Sequence, residues 1–228
     1  MRPLGPKLAE GRDSEIFEHG PGLVLRLARD GRSLEGEASV MRYARDRGFP
    51  VPAVHDAGDG YLVMDRLVGP TMLDALVRRP WRMGWGGRTL ADLHRRLHEL
   101  PAPAGVPSVE PAGDRLLHRD LHPLNVILTR SGPVVIDWAN AARGDPAYDV
   151  ADTWVVLSVA DAPGGALVRK AVGLGRSMFL RRFLEGADMD RVVAAVPFVA
   201  RNRLTDRNMS HEEQSRIRDM EDRLARGG

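Results

Sequence analysis

Short apolar runs broken by glycine and proline fill the first third of the chain, and apolar residues at helical spacing fill most of the rest. Ser14–His19 and Leu23–Ala28 flank Gly20-Pro21-Gly22, a turn between two apolar runs, which predicts a β-hairpin. Ser33–Arg47 carries Val40, Met41 and Ala44 on one side and is closed by Gly48 and Pro50, so a helix is expected there. Val54–His55 and Tyr61–Met64 predict two more strands around Ala57-Gly58-Asp59-Gly60. A hinge near residues 64–70 follows.

Beyond it the period becomes helical: Thr71–Arg79 is a short helix, and Leu90, Leu93, Leu97 and Leu100 mark a longer amphipathic one. Pro101–Pro111 contains four prolines and reads as a loop. The runs Leu116-Leu117, Val126–Leu128 and Val134–Ile136 then surround the turn Ser131-Gly132-Pro133, which predicts a small hairpin with polar tips. The remainder is helical. Its last helix opens on Ser210 and Glu213, a capping-box spacing, and buries Ile217, Met220 and Leu224. The expected fold is α+β and two-lobed, a small antiparallel β-rich lobe with one helix over residues 1–67 and a larger helical lobe over 68–228.

Composition narrows the chemistry. With 228 residues, 43% apolar and 28% charged, the chain can bury a substantial core. It contains no cysteine, which excludes disulfides, thiolate metal sites and a cysteine nucleophile. A net charge of +2 announces neither a nucleic-acid nor a membrane partner. No signal-like or membrane-spanning apolar stretch is visible, so a cytoplasmic protein is expected. Lys7 and Lys170 are the only lysines among 33 basic residues, so a site that needs lysine must use one of them or substitute arginine.

The densest polar cluster lies between Leu116 and Asp149. Asp120 and Asn125 sit on a loop between apolar runs, and Asp137 ends the next run, so the hairpin should bring Asp137 beside Asn125. A carboxylate and an amide carbonyl are hard oxygen ligands suited to magnesium, which completes its octahedron with phosphate oxygens. A second carboxylate five residues before the asparagine can face an attacking group. The spacing His118-Arg119-Asp120 followed by Asn125 is the H-R-D-x-x-x-x-N pattern of phosphoryl transfer, and Asp137 follows at a fitting distance.

These residues, with Ile136-Asp137-Trp138 and Gly144-Asp145-Pro146-Ala147-Tyr148-Asp149, resemble the aminoglycoside phosphotransferase / choline kinase family of small-molecule kinases with a protein-kinase-like fold. The resemblance implies ATP and magnesium as cofactors. It implies that Asp120, within the loop of His118 and Arg119, is the catalytic base or hydroxyl-orienting carboxylate. Asn125 and Asp137 would hold magnesium, Arg26 would contact ATP phosphates and pair with Glu37, and Asp149 would brace the catalytic loop. Met64, Asp65 and Leu67 would form the stretch that hydrogen-bonds adenine through its backbone, and Gly11 and Ser14 a thin glycine loop over the phosphates. Two positions depart from the family: Arg119 stands where glycine is common, and Arg26 where lysine is expected. Arginine can hold phosphate as a planar fork, with a geometry unlike that of lysine.

Other features have blander readings. His94 and His98, four apart on a helix, are expected to be structural rather than zinc ligands. Asp149 is expected to cap a helix starting at Val150. Trp81, Met83 and Trp85 around Gly84, Gly86 and Gly87 read as packing between elements, and Arg201–Arg207 as a solvated helix face. Only six residues separate Asp137 from Gly144, too few for the peptide-docking segment of a protein kinase, so the acceptor is expected to be a small hydroxyl compound. Residues after 150 carry 13 basic and 11 acidic side chains, which disfavours a polycationic aminoglycoside. A nucleotide-binding pseudokinase and a protein kinase are the competing readings.

Overall fold

The computed structural model describes residues 4–11, 13–159, 166–205 and 211–227. An antiparallel sheet in the order β1-β2-β3-β5-β4 opens the chain, built from β1 (Lys7–Glu10), β2 (Ser14–Glu18), β3 (Leu23–Ala28), β4 (Val54–Gly58) and β5 (Tyr61–Asp65). The β2–β3 turn holds Gly20 at φ 88° and Gly22 at φ 73°, left-handed conformations that glycine adopts without a Cβ clash. β1 was not anticipated: all four residues are exposed, so it has no apolar alternation to read. It exists by backbone pairing with β2, with Lys7 opposite Phe17 and Glu10 opposite Glu15.

Between β3 and β4 lies α1 (Glu35–Asp46), which buries Ala38, Val40, Met41 and Ala44 and ends at Gly48, φ 77°. Three bonds moor this helix and the turn after it to the helical half of the molecule. Tyr43 Oη donates to Pro101 O (2.7 Å), an Arg96 guanidinium NH donates to Gly48 O (3.1 Å), and Val135 N donates to Pro50 O (2.8 Å).

The helical half begins with α2 (Met72–Arg78), whose Thr71 cap accepts from Asp74 N (3.0 Å), and a 3-10 turn leading into α3 (Met83–His98). α3 packs on α5 (Ala166–Phe183) through glycines: a Cβ at Gly87 would lie 2.4 Å from Phe179 O. The glycines near Trp81 and Trp85 thus serve helix contact, while Trp81 itself is largely exposed. After the proline loop come two short ribbons, β6 (Arg115–Leu117) with β9 (Ala142–Gly144), and β7 (Val126–Thr129) with β8 (Gly132–Val135). α4 (Pro146–Val159), α6 (Met189–Leu204) and α7 (His211–Gly227) complete the chain.

One apolar cluster runs from Leu34, just before α1, and Met41 within it through Leu62, Leu90 and Leu93 to Trp138 and Phe183, crossing the boundary expected at residue 67. A second joins α4, α6 and α7 through Val155, Val199 and Ile217. At about 25 cal/mol per Å2 of apolar surface removed from water, these clusters supply the main driving force for both halves. Ser210 of the expected capping box, Arg12 of the glycine loop and the side chain of Lys170 lie outside the described residues. Among the described residues no helix is long and apolar enough to cross a membrane.

Asp149 does not cap a helix at Val150. α4 begins at Pro146, and Asp145 is the residue at its start, accepting from Ala147 N (2.9 Å). Proline at the first helical position pulls the boundary back, because its missing N–H would be unpaired there in any case.

Candidate active site

The loop between β6 and β7 carries His118, Arg119, Asp120 and Asn125, and its shape is set from below by Asp149. The Asp149 carboxylate is 1% exposed and accepts from His118 N (2.8 Å), Arg119 N (2.8 Å) and His98 Nε2 (3.1 Å). Burial opposes its charge, but the hydrogen bond and charge of His98, together with the backbone N–H of His118, hold its pKa below the usual carboxylate value. These bonds keep Arg119 in a left-handed conformation, φ 62°, where a non-glycine residue is strained by about 1–3 kcal/mol. Asp137, φ 65°, is the other left-handed non-glycine residue among the described residues. Such strain persists only where its surroundings over-determine it, and both cases fall on this one loop system.

His118, expected among the catalytic residues, is fully buried. Its Nε2 meets Ile136 O (3.1 Å) and its ring packs edge-on against Trp138 at 4.8 Å. Burial lowers its pKa. A group with no exposed surface cannot touch a substrate, so His118 fastens the loop to Ile136, the residue just after β8. Arg119 likewise turns inward: its guanidinium lies over the Tyr148 ring at 5.4 Å, with Nε buried and unpartnered.

Asp120 is partly open, and Asn125, His122 and Arg203 surround its carboxylate with polar partners. Asn125 Nδ2 donates to Asp120 O (2.9 Å) and Oδ2 (3.1 Å), and His122 Nε2 lies 3.5 Å from Oδ1. Burial works against the carboxylate charge, but His122 and the Arg203 guanidinium hold its pKa well below the usual range. Because the amide nitrogen of Asn125 is spent on Asp120, its Oδ1 is the atom left for a cation. The β7–β8 register, with Val126 opposite Val135, and the bond from Ile136 N to Asn125 O (3.0 Å) set Asp137 close by. The Asp137 carboxylate enters no hydrogen bond or ion pair among the described residues. Two oxygen donors with unspent lone pairs suit a divalent cation of the magnesium type.

Across the cleft, Arg26 of β3 meets Glu37 of α1 as a bidentate fork, Nη1 to Oε1 at 2.7 Å and Nη2 to Oε2 at 2.8 Å. Side-chain exposures of 8% and 5% make this a buried pair. Glu37 Oε1 also accepts from Trp138 N (3.3 Å), so the pair is tied to the residue after Asp137. Arg26 Nε is buried and unpartnered. Gly11 and Ser14 form the tight β1–β2 turn, Gly11 N donating to Ser14 O (2.8 Å).

Of the expected adenine contacts, Met64 is paired on both sides in the sheet, with Val24 and Val54. Asp65 is spent within the sheet region: its N donates to Ala53 O (3.0 Å), and its carboxylate meets Ala53 N (3.0 Å) and His55 (2.8 Å). Leu67, past the end of β5, has backbone groups that enter no hydrogen bond among the described residues.

The sequence reading missed two residues. Arg203, taken with its neighbours as a solvated face, has a side chain only 18% exposed, and one of its nitrogens donates to Asp120 Oδ1 (2.8 Å). Asp152 of α4, 2% exposed, receives the same guanidinium at 2.6 and 2.8 Å. The signal was periodicity: Arg203 lies four residues after Val199 and three after Ala200, on the buried face of α6. Beneath the loop, His94 Nε2 contacts Leu121 O and Thr153 Oγ1 (both 3.2 Å), and burial followed by the charge of His98 pulls its pKa down to about 3.

The chain matches the family described as the phosphotransferase enzyme family over residues 7–114 and 108–192. It is 30% identical over 110 residues to a probable serine/threonine-protein kinase BUD32 homolog of Archaeoglobus fulgidus. That match covers 48% of this chain and spans 46%, about half, of that curated relative's length. Among solved structures, a choline/ethanolamine kinase family protein from Mesorhizobium loti superposes with TM-score 0.58 at 17% identity, covering 97% of this chain and 87% of that one. The ADP-bound aminoglycoside phosphotransferase APH(2'')-Ib superposes with TM-score 0.59 at 15% identity, covering 95% and 92%. At these identities the likeness establishes the shared kinase-like fold.

Proposed function

Because the chain belongs to the phosphotransferase enzyme family, we propose that it transfers the γ-phosphoryl group of magnesium-ATP to a hydroxyl of a small molecule. One observation carries the reading: the β7–β8 register gathers Asp137 and Asn125, while Asp120 holds the Asn125 amide so that its oxygen stays free. When bound, magnesium-ATP supplies the phosphoryl donor and the positive charge that offsets the negative charge on the phosphates.

The residues divide the remaining work. Asn125 Oδ1 and the Asp137 carboxylate hold the cation. Glu37 takes one hydrogen from each Nη of Arg26, and the second hydrogen on each is left for a phosphate oxygen. The free backbone groups of Leu67 suit the adenine edge, which makes residues 1–67 mainly nucleotide-binding and 68–228 catalytic and acceptor-binding. Asp120 accepts a hydrogen bond from the acceptor hydroxyl. Its depressed pKa makes it an orienting group rather than a strong base, which suffices where the transition state is loose and little proton transfer precedes bond breaking. Arg203 places a cation beside Asp120, and that disfavours a polycationic acceptor.

A protein acceptor is the second reading, favoured by the Archaeoglobus fulgidus relative. Against it, part of the segment after Asp137 is consumed by β9, with Leu117 opposite Ala142 and Arg115 opposite Gly144, which leaves little chain to dock a peptide.

The test is thermal stability with and without magnesium-ATP, then ADP release across a panel of hydroxyl compounds that includes kanamycin, choline and a polyol, in wild type and Asp120→Asn. A rise in Tm with magnesium-ATP and turnover lost in Asp120→Asn are expected. Nucleotide binding without turnover on any acceptor would mark a pseudokinase and overturn the proposal.

A further inference from the structure

Arg203 joins three elements distant in sequence: α6, the catalytic loop and α4. Its Nη2 donates to Asp120 Oδ1 at 2.8 Å and to Asp152 Oδ2 at 2.6 Å, while its Nε donates to Asp152 Oδ1 at 2.8 Å. Asp152 is fixed inside a helix and 2% exposed, so the two-bond clamp holds the guanidinium plane in one orientation. The remaining hydrogen of Nη2 then points at Asp120 from a fixed direction. On its other oxygen, Asp120 is held by Asn125 Nδ2 at 3.1 Å. The carboxylate is thereby gripped at both oxygens, and rotation about its Cβ–Cγ bond would break one bond or the other.

Resting on the phosphotransfer reading above, we propose that Arg203, clamped by Asp152, is a positioning residue that sets the carboxylate plane of Asp120 so that its remaining lone pairs meet the acceptor hydroxyl in line with the phosphoryl group. Asp152 serves as the anchor, touching neither substrate nor nucleotide. The role differs from neutralising a fully buried charge, because Asp120 keeps 20% of its side-chain surface exposed. It also gives the C-terminal helices a direct grip on the reacting carboxylate.

The test uses the full chain and magnesium-ATP, with water as the acceptor in slow hydrolysis and with any hydroxyl compound found active in the panel. Arg203→Met should lower kcat on the order of 100-fold, since misplacement of a reacting group by about 1 Å has that effect. The KM for ATP should stay within about twofold, because no nucleotide-facing group is removed. Arg203→Lys, which keeps one charged donor, should recover part of the loss. Removing the arginine alone leaves Asp152 buried without a partner, so the double variant Arg203→Met/Asp152→Asn guards against misfolding. It should be as stable as wild type and as slow as Arg203→Met. A double variant at wild-type rate would show that Arg203 serves only Asp152, and that overturns the proposal. Asp120→Asn run in parallel separates the two failures. If it abolishes turnover while Arg203→Met does not, positioning fails and phosphotransfer stands; if neither changes turnover, both fail.

Discussion

Two arginines meet carboxylates on opposite sides of the site, a buried one rising from the sheet and a partly buried one descending from the C-terminal helices. Arg26 and Glu37 are eleven residues apart, on a strand and on the helix that follows it. Arg203 reaches Asp152 across 51 positions and Asp120 across 83. The first pair also binds Trp138 N, on the side proposed for the nucleotide, and the second binds Asp120, on the side proposed for the acceptor. The same chemical device is thus used twice, once built locally and once closed only when the last helices dock. The local pair fixes a strand to its helix. The distant one ties Asp120 to the C-terminal helices.

The comparison breaks most visibly in Arg26→Met, which strands Glu37 in a buried site. Loss of about 3–5 kcal/mol of stability is expected, read as a lower urea midpoint, together with loss of measurable turnover. The double variant Arg203→Met/Asp152→Asn, which leaves no buried carboxylate without its cation, should show the reverse balance, with its larger effect on kcat and a smaller one on the urea midpoint. Equal stability losses in the two variants would erase the distinction drawn here.

A third brace, free of arginine, sharpens the contrast. His94 is neutral in the folded protein down to about pH 3, whereas an exposed histidine in the unfolded chain takes a proton near pH 6.5. Between those values the unfolded state binds the extra proton, so this contribution to stability is present above pH 6.5 and is lost as pH falls toward 3, by about 1.4 kcal/mol per unit at most. His94→Leu should flatten that slope in urea titrations at pH 7, 5.5 and 4, and an unchanged slope would rule out His94 as its source. The smallest effect expected is that of Arg26→Lys. It retains one ion pair with Glu37 and restores the residue type that the family resemblance led us to expect, so turnover should stay within about tenfold of wild type.

Legibility in the sequence followed the same division between near and far. The β2–β3 hairpin, α1, the β7–β8 hairpin and the cluster of Asp120, Asn125 and Asp137 announce themselves through turn glycines, periodicity and fixed spacing over short distances. β1 does not, because an exposed edge strand is made by its partner's backbone and carries no pattern of its own. Arg203 escaped for a different reason. In a run holding Arg201, Arg203 and Arg207 each arginine looks alike, and only the buried face of α6, read from Val192 to Ala200, singles one out. Asp149 was legible as a loop brace but was also assigned a capping role, since the start of α4 is governed by Pro146 rather than by the acidic residue itself. His118 lies in the right motif, yet its complete burial depends on Trp138 and Ile136 folding over it.

The bonds that moor α1 and the turn after it to the helical half bear on how a nucleotide enters and leaves. Tyr43 to Pro101, Arg96 to Gly48 and Val135 to Pro50 join Trp138 to Glu37 in spanning the two halves. A rigid swing about the linker after β5 would have to rupture all of them at once. The linker therefore acts as a strap rather than a pivot, and the β1–β2 edge is the part of the sheet that, among the described residues, no such bond ties to the helical half. Under the proposed function, product release is expected through this edge, whose outer strand β1 is exposed along all four of its residues.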